Sequence, residues 1–117
     1  MNKINSNFSG QTIFVGMDIH KSSWNLGIHL GDMFVKNVHQ KPSPSIMASY
    51  LKQHFPSANY KAAYEAGKFG FWIQRQLTAL GIECLVVNPA DIPFYWRKND
   101  AWLWHCLLVP FIPLKNF

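Results

Sequence analysis

The sequence predicts an α/β domain built on a mixed sheet, and three observations carry that expectation. β-branched and aromatic runs of period two open the chain, two stretches with apolar residues three and four apart follow, and further strand-length apolar runs separate those stretches. The 117 residues, 49% apolar and 15% charged, suffice for one globular domain with a real core and leave no room for a second.

Residues 12–18 (TIFVGMD) place Ile13, Val15 and Met17 on one face and Phe14, Gly16 and Asp18 on the other, which predicts a buried strand ending on a carboxylate. Trp24, Leu26, Ile28 and Leu30 then alternate with Asn25, Gly27 and His29. Gly31-Asp32 supplies a two-residue turn, and Phe34, Lys36 and Val38 continue beyond it as a half-exposed hairpin. Ser43-Pro44 pairs an N-cap with a first-turn proline, and Met47, Tyr50, Leu51, His54 and Phe55 follow at helical spacing until Pro56, so a helix is expected over 44–55. Residues 60–65 (YKAAYE) read as a short strand. Phe69, Trp72, Ile73, Gln76, Leu77 and Leu80 predict a helix over 69–80 capped by Gly81, with Phe69 and Trp72 in the core, and 82–88 (IECLVVN) returns to strand. These last three form a βαβ unit, whose strands should run parallel.

The order strand, strand, strand, helix, strand, helix, strand allows a sheet with its first three strands antiparallel and the later ones parallel to the first. That is the ribonuclease H-like order without its last helix. Residues 94–117 break the pattern: three of the five Trp (Trp96, Trp102, Trp104) fall there, Asp100 is the only acid, and no helical or strand period organises them. The expectation is a poorly ordered or aggregation-prone segment, out of frame with the gene from near Pro93.

A net charge of +5 and a sequence pI near 9.4 permit a polyanionic partner without requiring one. Cys84 and Cys106 sit in no CxxC pair and near no His at zinc-finger spacing, so reduced intracellular thiols are expected. The first apolar run, Ile13 to Met17, is too short for a signal-peptide core, and Ala101 to Leu114 is interrupted by His105, Pro110 and Pro113. A cytoplasmic protein with no membrane partner is the resulting expectation.

Asp18 and Glu65 are the acids that matter, because each falls at the carboxyl end of an expected strand and those strands should lie side by side. Open α/β sheets place their sites at that edge. Two carboxylates meeting there repel unless a cation lies between them, and Mg²⁺ or Mn²⁺, hard ions that prefer oxygen, would resolve the conflict. The same two residues also fit a turn cap before the hairpin and a solvated strand end.

The stretch FVGMDIHKSSW (14–24), the segment YEAGKFGFWIQRQLTALGIECLVVNPADIP (64–93) and the strand order between them resemble the N-terminal half of bacterial insertion-sequence transposases of the IS-one-ten type. These are DEDD recombinases with a RuvC-like domain, related to the Piv invertases. The resemblance spans about 80 of the 117 residues and rests on G-x-D-x-H-K, E-A-G-x-F-G-F-W and V-x-N-P-A-D-I-P in that order. It implies that Asp18 and Glu65 are the first two of four catalytic, metal-binding acids, with Mg²⁺ or Mn²⁺ as cofactor. The other two family acids form a D-x-x-D pair shortly after the N-P-A-D-I-P segment. Here the position three residues after Asp100 is Leu103, so that pair is missing. The resemblance further implies DNA as substrate, a structured guide RNA, a multimeric assembly and a separate serine-bearing domain not encoded in this sequence.

Lys21 follows the first acid closely enough to touch a phosphate, or lies in a solvated turn. Lys61, Lys68 and Arg75 flank the Glu65 strand and either line a nucleic-acid groove or serve solvation. The five His show no ligand spacing, and Asp91 shapes a turn. The leading expectation is an N-terminal transposase fragment of residues 1–93 followed by an aberrant 94–117, inactive alone. A non-catalytic nucleic-acid-binding module that regulates the full-length enzyme, and a pseudogene product without function, are the alternatives.

Overall fold

The computed structural model describes residues 7–65 and 70–87. Within them lie β1 (Thr12–Ile19), β2 (Trp24–Leu30), β3 (Met33–Gln40), α1 (Pro44–His54), β4 (Asn59–Glu65), α2 (Trp72–Ala79) and β5 (Glu83–Val87). One five-stranded sheet has the order β3-β2-β1-β4-β5, with β2 antiparallel to both β1 and β3, and β4 parallel to both β1 and β5. This is the mixed α/β sheet in the ribonuclease H-like order that the alternation of elements predicts. Asp91, Cys106 and the whole of 94–117, where the last helix is expected to be missing, lie outside the described residues, as do Lys68 and Phe69.

Both helices cover one face of the sheet. Ile13, Val15 and Met17 of β1, Trp24, Leu26 and Ile28 of β2, Tyr60, Ala62 and Tyr64 of β4 and Cys84 of β5 are buried in one cluster with Met47, Leu51, Ile73 and Leu77. Period two in the strands and 3-4 spacing in the helices put every one of these side chains on the shared side. Burying Trp24, Leu51 and Ile73 fully contributes roughly 1.5–3 kcal/mol apiece.

The helix ends follow from their sequences. Ser43 Oγ accepts from Ile46 N at 3.3 Å and Pro44 occupies the first turn. At the far end of α2, Gly81 adopts φ +91° while its N–H donates to Thr78 O and the Ile82 N–H donates to Leu77 O. That pair of bonds is a Schellman closure, and it takes Ile82 out of the strand expected from 82 onward. Lys52 Nζ donates to Leu80 O at 2.7 Å and ties α1 to the same helix end.

The expectations for α2 and for the hairpin need correction. The helix expected from 69 begins at Trp72, because Gly70 has φ +67°, outside helical geometry. Trp72, expected in the core, is 40% exposed; only Ile73 and Leu77 carry the buried face of α2. The hairpin departs in a second way. Gly31 turns with φ +60° as expected, but the register slips between Ile28 and His29: Ile28 faces Lys36, whereas His29 faces Phe34. Val35 is the extra residue of a bulge, so Phe34 and Lys36 fall on opposite faces of a strand that strict alternation would have placed them on together. Phe34 meets the His29 ring edge-on at 5.2 Å, and Lys36 lies 5.6 Å over the Tyr50 ring of α1.

Candidate functional site

The site grows out of strand register. Gly16 pairs with Ala63 and Met17 with Tyr64 in the parallel β1–β4 ladder, so one further step sets Asp18 level with Glu65 at the carboxyl ends of both strands. Neighbouring strands lie about 4.8 Å apart, and side chains level with each other share a face. That face is the one opposite the helices, since Met17 and Tyr64 point into the core. Asp18 is also level with Asn25, Asn25 with His39, and Glu65 with Val87. A polar row, His39–Asn25–Asp18–Glu65, therefore crosses four strands one position from the end of β1. Beside it, Gly27, Gly16 and Ala63 form a second row with almost no side chain.

Asp18 is solvent-accessible, with its side chain 58% exposed, and its Oδ2 lies 3.2 Å from His20 Nε2. The turn that brings His20 back is closed by the His20 N–H donating to Ser23 O at 3.0 Å. Glu65 is half-buried. Its position is set by Tyr64, whose hydroxyl donates to Gly70 O at 2.7 Å and accepts from Gln74 N at 3.2 Å. Phe71 at the N-cap of α2 offers no side-chain acceptor, so the strand tyrosine takes over that task for the third N–H of the helix. Burial raises the Tyr64 hydroxyl above its ordinary range, against a smaller opposing effect of the Gln74 N–H.

Asn25 Oδ1 is shielded from solvent and accepts no hydrogen bond. An orphaned amide oxygen beside a carboxylate is costly unless something electropositive reaches it. Two carboxylates and this oxygen are hard donors of the kind that suit Mg²⁺ or Mn²⁺, and in that respect the residues present fit the cation. Among the described residues, no three His, Cys, Asp or Glu side chains gather.

Of the remaining expected contacts, Lys21 is exposed in the β1–β2 turn, three residues from Asp18. Arg75 is exposed near the start of α2, on the helix side of the sheet. Lys61 and Glu83 form an ion pair at 3.1 Å on the open face, at the opposite end of β4 from Glu65. His54 stacks on Tyr50 with ring centroids 4.2 Å apart. Cys84 is a free, buried thiol that burial pushes up to about 12. No described helix is long and apolar enough to cross a membrane.

Asn25, and the approach of His20 to Asp18, are what sequence reading did not supply. The signal for Asn25 was present in the short turn: with Ile19 level with Trp24, the β1–β2 register is fixed and Asp18 must face Asn25.

Comparison with known proteins adds the following. The chain is 32% identical over 103 residues to the protein of Sinorhizobium fredii called putative transposase y4rJ, in an alignment covering 76% of this chain and 25% of that protein. The chain thus spans about a quarter of the length of that relative. A crystal structure of the large terminase nuclease from the thermophilic phage G20c superposes with a TM-score of 0.49 at 12% identity, covering 77% of this chain and 54% of that one. No protein-family model matches the sequence.

Proposed function

We propose that this chain is the ribonuclease H-like portion of a DNA transposase of the IS-one-ten type, in which Asp18 and Glu65 hold a divalent cation at the carboxyl edge of the sheet. The observation that carries the reading is the β1–β4 register, which sets two carboxylates of distant sequence position level on adjacent central strands. The similarity to a Sinorhizobium fredii protein bearing a transposase name supports it.

When bound, Mg²⁺ or Mn²⁺ polarises a phosphoryl oxygen and offsets the charge of the phosphodiester. The chain's own residues do the rest of the positioning. Asp18 and Glu65 fix the cation at a rigid strand edge. Lys21 attracts phosphate at the same edge, and Lys68 and Arg75 are the further phosphate-binding cations of this reading. A structured guide RNA and a second copy of the chain are further partners in this reading.

Because no three His, Cys, Asp or Glu side chains gather among the described residues, binding nucleic acid without cutting it is the second reading for this chain alone. Calorimetric titration of Mn²⁺ into the 117-residue chain and into Asp18→Asn and Glu65→Gln tests the first. Binding by the parent that either substitution abolishes is expected. A folded parent that takes up no Mn²⁺, or variants that bind it equally well, would remove the cation from the reading.

A further inference from the structure

Outside the acid pair lie the exposed edge strand β3 with Met33, Phe34 and Val35, the Lys36–Tyr50–His54 stack and the Lys61–Glu83 pair. The orphaned oxygen of Asn25 is a chemical demand the fold leaves unmet at the place where the proposed chemistry lies.

We propose that Asn25 is a third oxygen ligand of the Asp18–Glu65 site, contributing Oδ1 to the divalent cation. This rests on the proposed cation reading and names a residue from the antiparallel half of the sheet that completes it. Asn25 is level with Asp18 across the β1–β2 ladder, so their Cβ atoms lie about 4.5–5.5 Å apart on one face. Its Oδ1 is withdrawn from water and has no donor, and His20, 3.2 Å from Asp18 Oδ2, is the nearby nitrogen ligand on the other side of that carboxylate. A buried acceptor without a donor is rare in folded proteins and asks for a partner. A hard cation bound between Asp18 and Glu65 is that partner, since amide carbonyl oxygens are ordinary ligands for such ions. The amide plane turns easily about its last torsion, so Oδ1 reaches a neighbouring ion without backbone movement. Asp18, now turned toward His20, needs the same kind of side-chain rotation. Asparagine adds an oxygen without adding repulsion between carboxylates in the empty site, whereas an acid there would add both repulsion and attraction for the ion.

The test uses the whole chain, Mn²⁺ for calorimetry and Mg²⁺ for NMR. Asn25→Leu, of nearly the same size, removes the oxygen and the orphan together, so it should fold at least as stably as the parent by circular dichroism. Its Mn²⁺ affinity should fall about tenfold, the low end of what residues supporting a metal site contribute. Asn25→Asp should restore or exceed parental affinity. In the parent, Mg²⁺ should shift the Asn25 side-chain amide signals, a readout independent of any activity. If the parent binds Mn²⁺ and Asp18→Asn abolishes binding while Asn25→Leu leaves it unchanged, Asn25 is no ligand and the acid pair stands without it. If the folded parent binds no cation, this proposal falls together with the reading it rests on.

Discussion

Replacing Tyr64 with Phe removes one oxygen and breaks the join between the strand that carries Glu65 and the helix that follows it. The hydroxyl is fully buried and serves two partners, donating to Gly70 O at 2.7 Å and accepting from Gln74 N at 3.2 Å. The phenyl ring keeps its packing, so the loss is polar. An ordinary hydrogen bond contributes roughly 0.5–1.5 kcal/mol net, and stranding a buried partner costs about 1–3 kcal/mol. Both partners are part-buried, so a loss of about 2 kcal/mol is expected, at an unchanged urea m-value. The first turn of α2 should fray, because Phe71 offers no substitute cap. Urea unfolding followed by circular dichroism gives the first number, and hydrogen exchange at Gln74 gives the second. A change below about 0.5 kcal/mol with normal protection of Gln74 would show that the tyrosine does not hold the β4–α2 corner.

Other substitutions and conditions report on separate parts of the structure. Leu51→Ala, at a fully buried site where α1 meets the sheet, should cost about 2–5 kcal/mol in the same urea assay. Gly31→Ala forces an L residue into φ +60° and should lower stability by about 1 kcal/mol, with the hairpin rather than the helices losing exchange protection. Alkaline pH should destabilise the fold. The Cys84 thiol is raised from 9.0 to about 12, so the buried neutral form contributes stability that is fully present below pH 9 and is lost as pH rises toward 12. Cys84→Ala should flatten that part of a thermal-melt series against pH. Lys21→Ala should weaken binding to DNA of any sequence and reduce the slope of log affinity against log salt by about 1, measured by fluorescence anisotropy.

Period and punctuation made most of the fold legible. Alternation identified the buried faces of β1 and β2 because one side of the sheet is packed on helices, and Ser43-Pro44, Gly31 and Gly81 marked element ends through backbone geometry that few other residues accept. What escaped were departures from period. The bulge at Val35 separates Phe34 from Lys36, and no local residue type announces it. Gly70 interrupts a helical apolar pattern that begins with Phe69, so spacing alone carried the helix three residues too far and placed Trp72 inside. The candidate site was half legible. A strand ending in Asp and another ending in Glu could be seen in the sequence, and the ladder shows them level. The contribution of Asn25 depends on a pairing between strands, which composition does not carry.

The central claim, that Asp18 and Glu65 form one cation site at the carboxyl edge of β1 and β4, is tested most directly by paramagnetic broadening. Substoichiometric Mn²⁺ added to the ¹⁵N-labelled chain should first erase the amide signals around Asp18, Asn25 and Glu65. Signals around Gly31 and Lys61, toward the opposite ends of the strands, should persist, and Asp18→Asn should abolish the pattern. Broadening centred elsewhere, such as on His39 and His54, or broadening that survives Asp18→Asn, would contradict it.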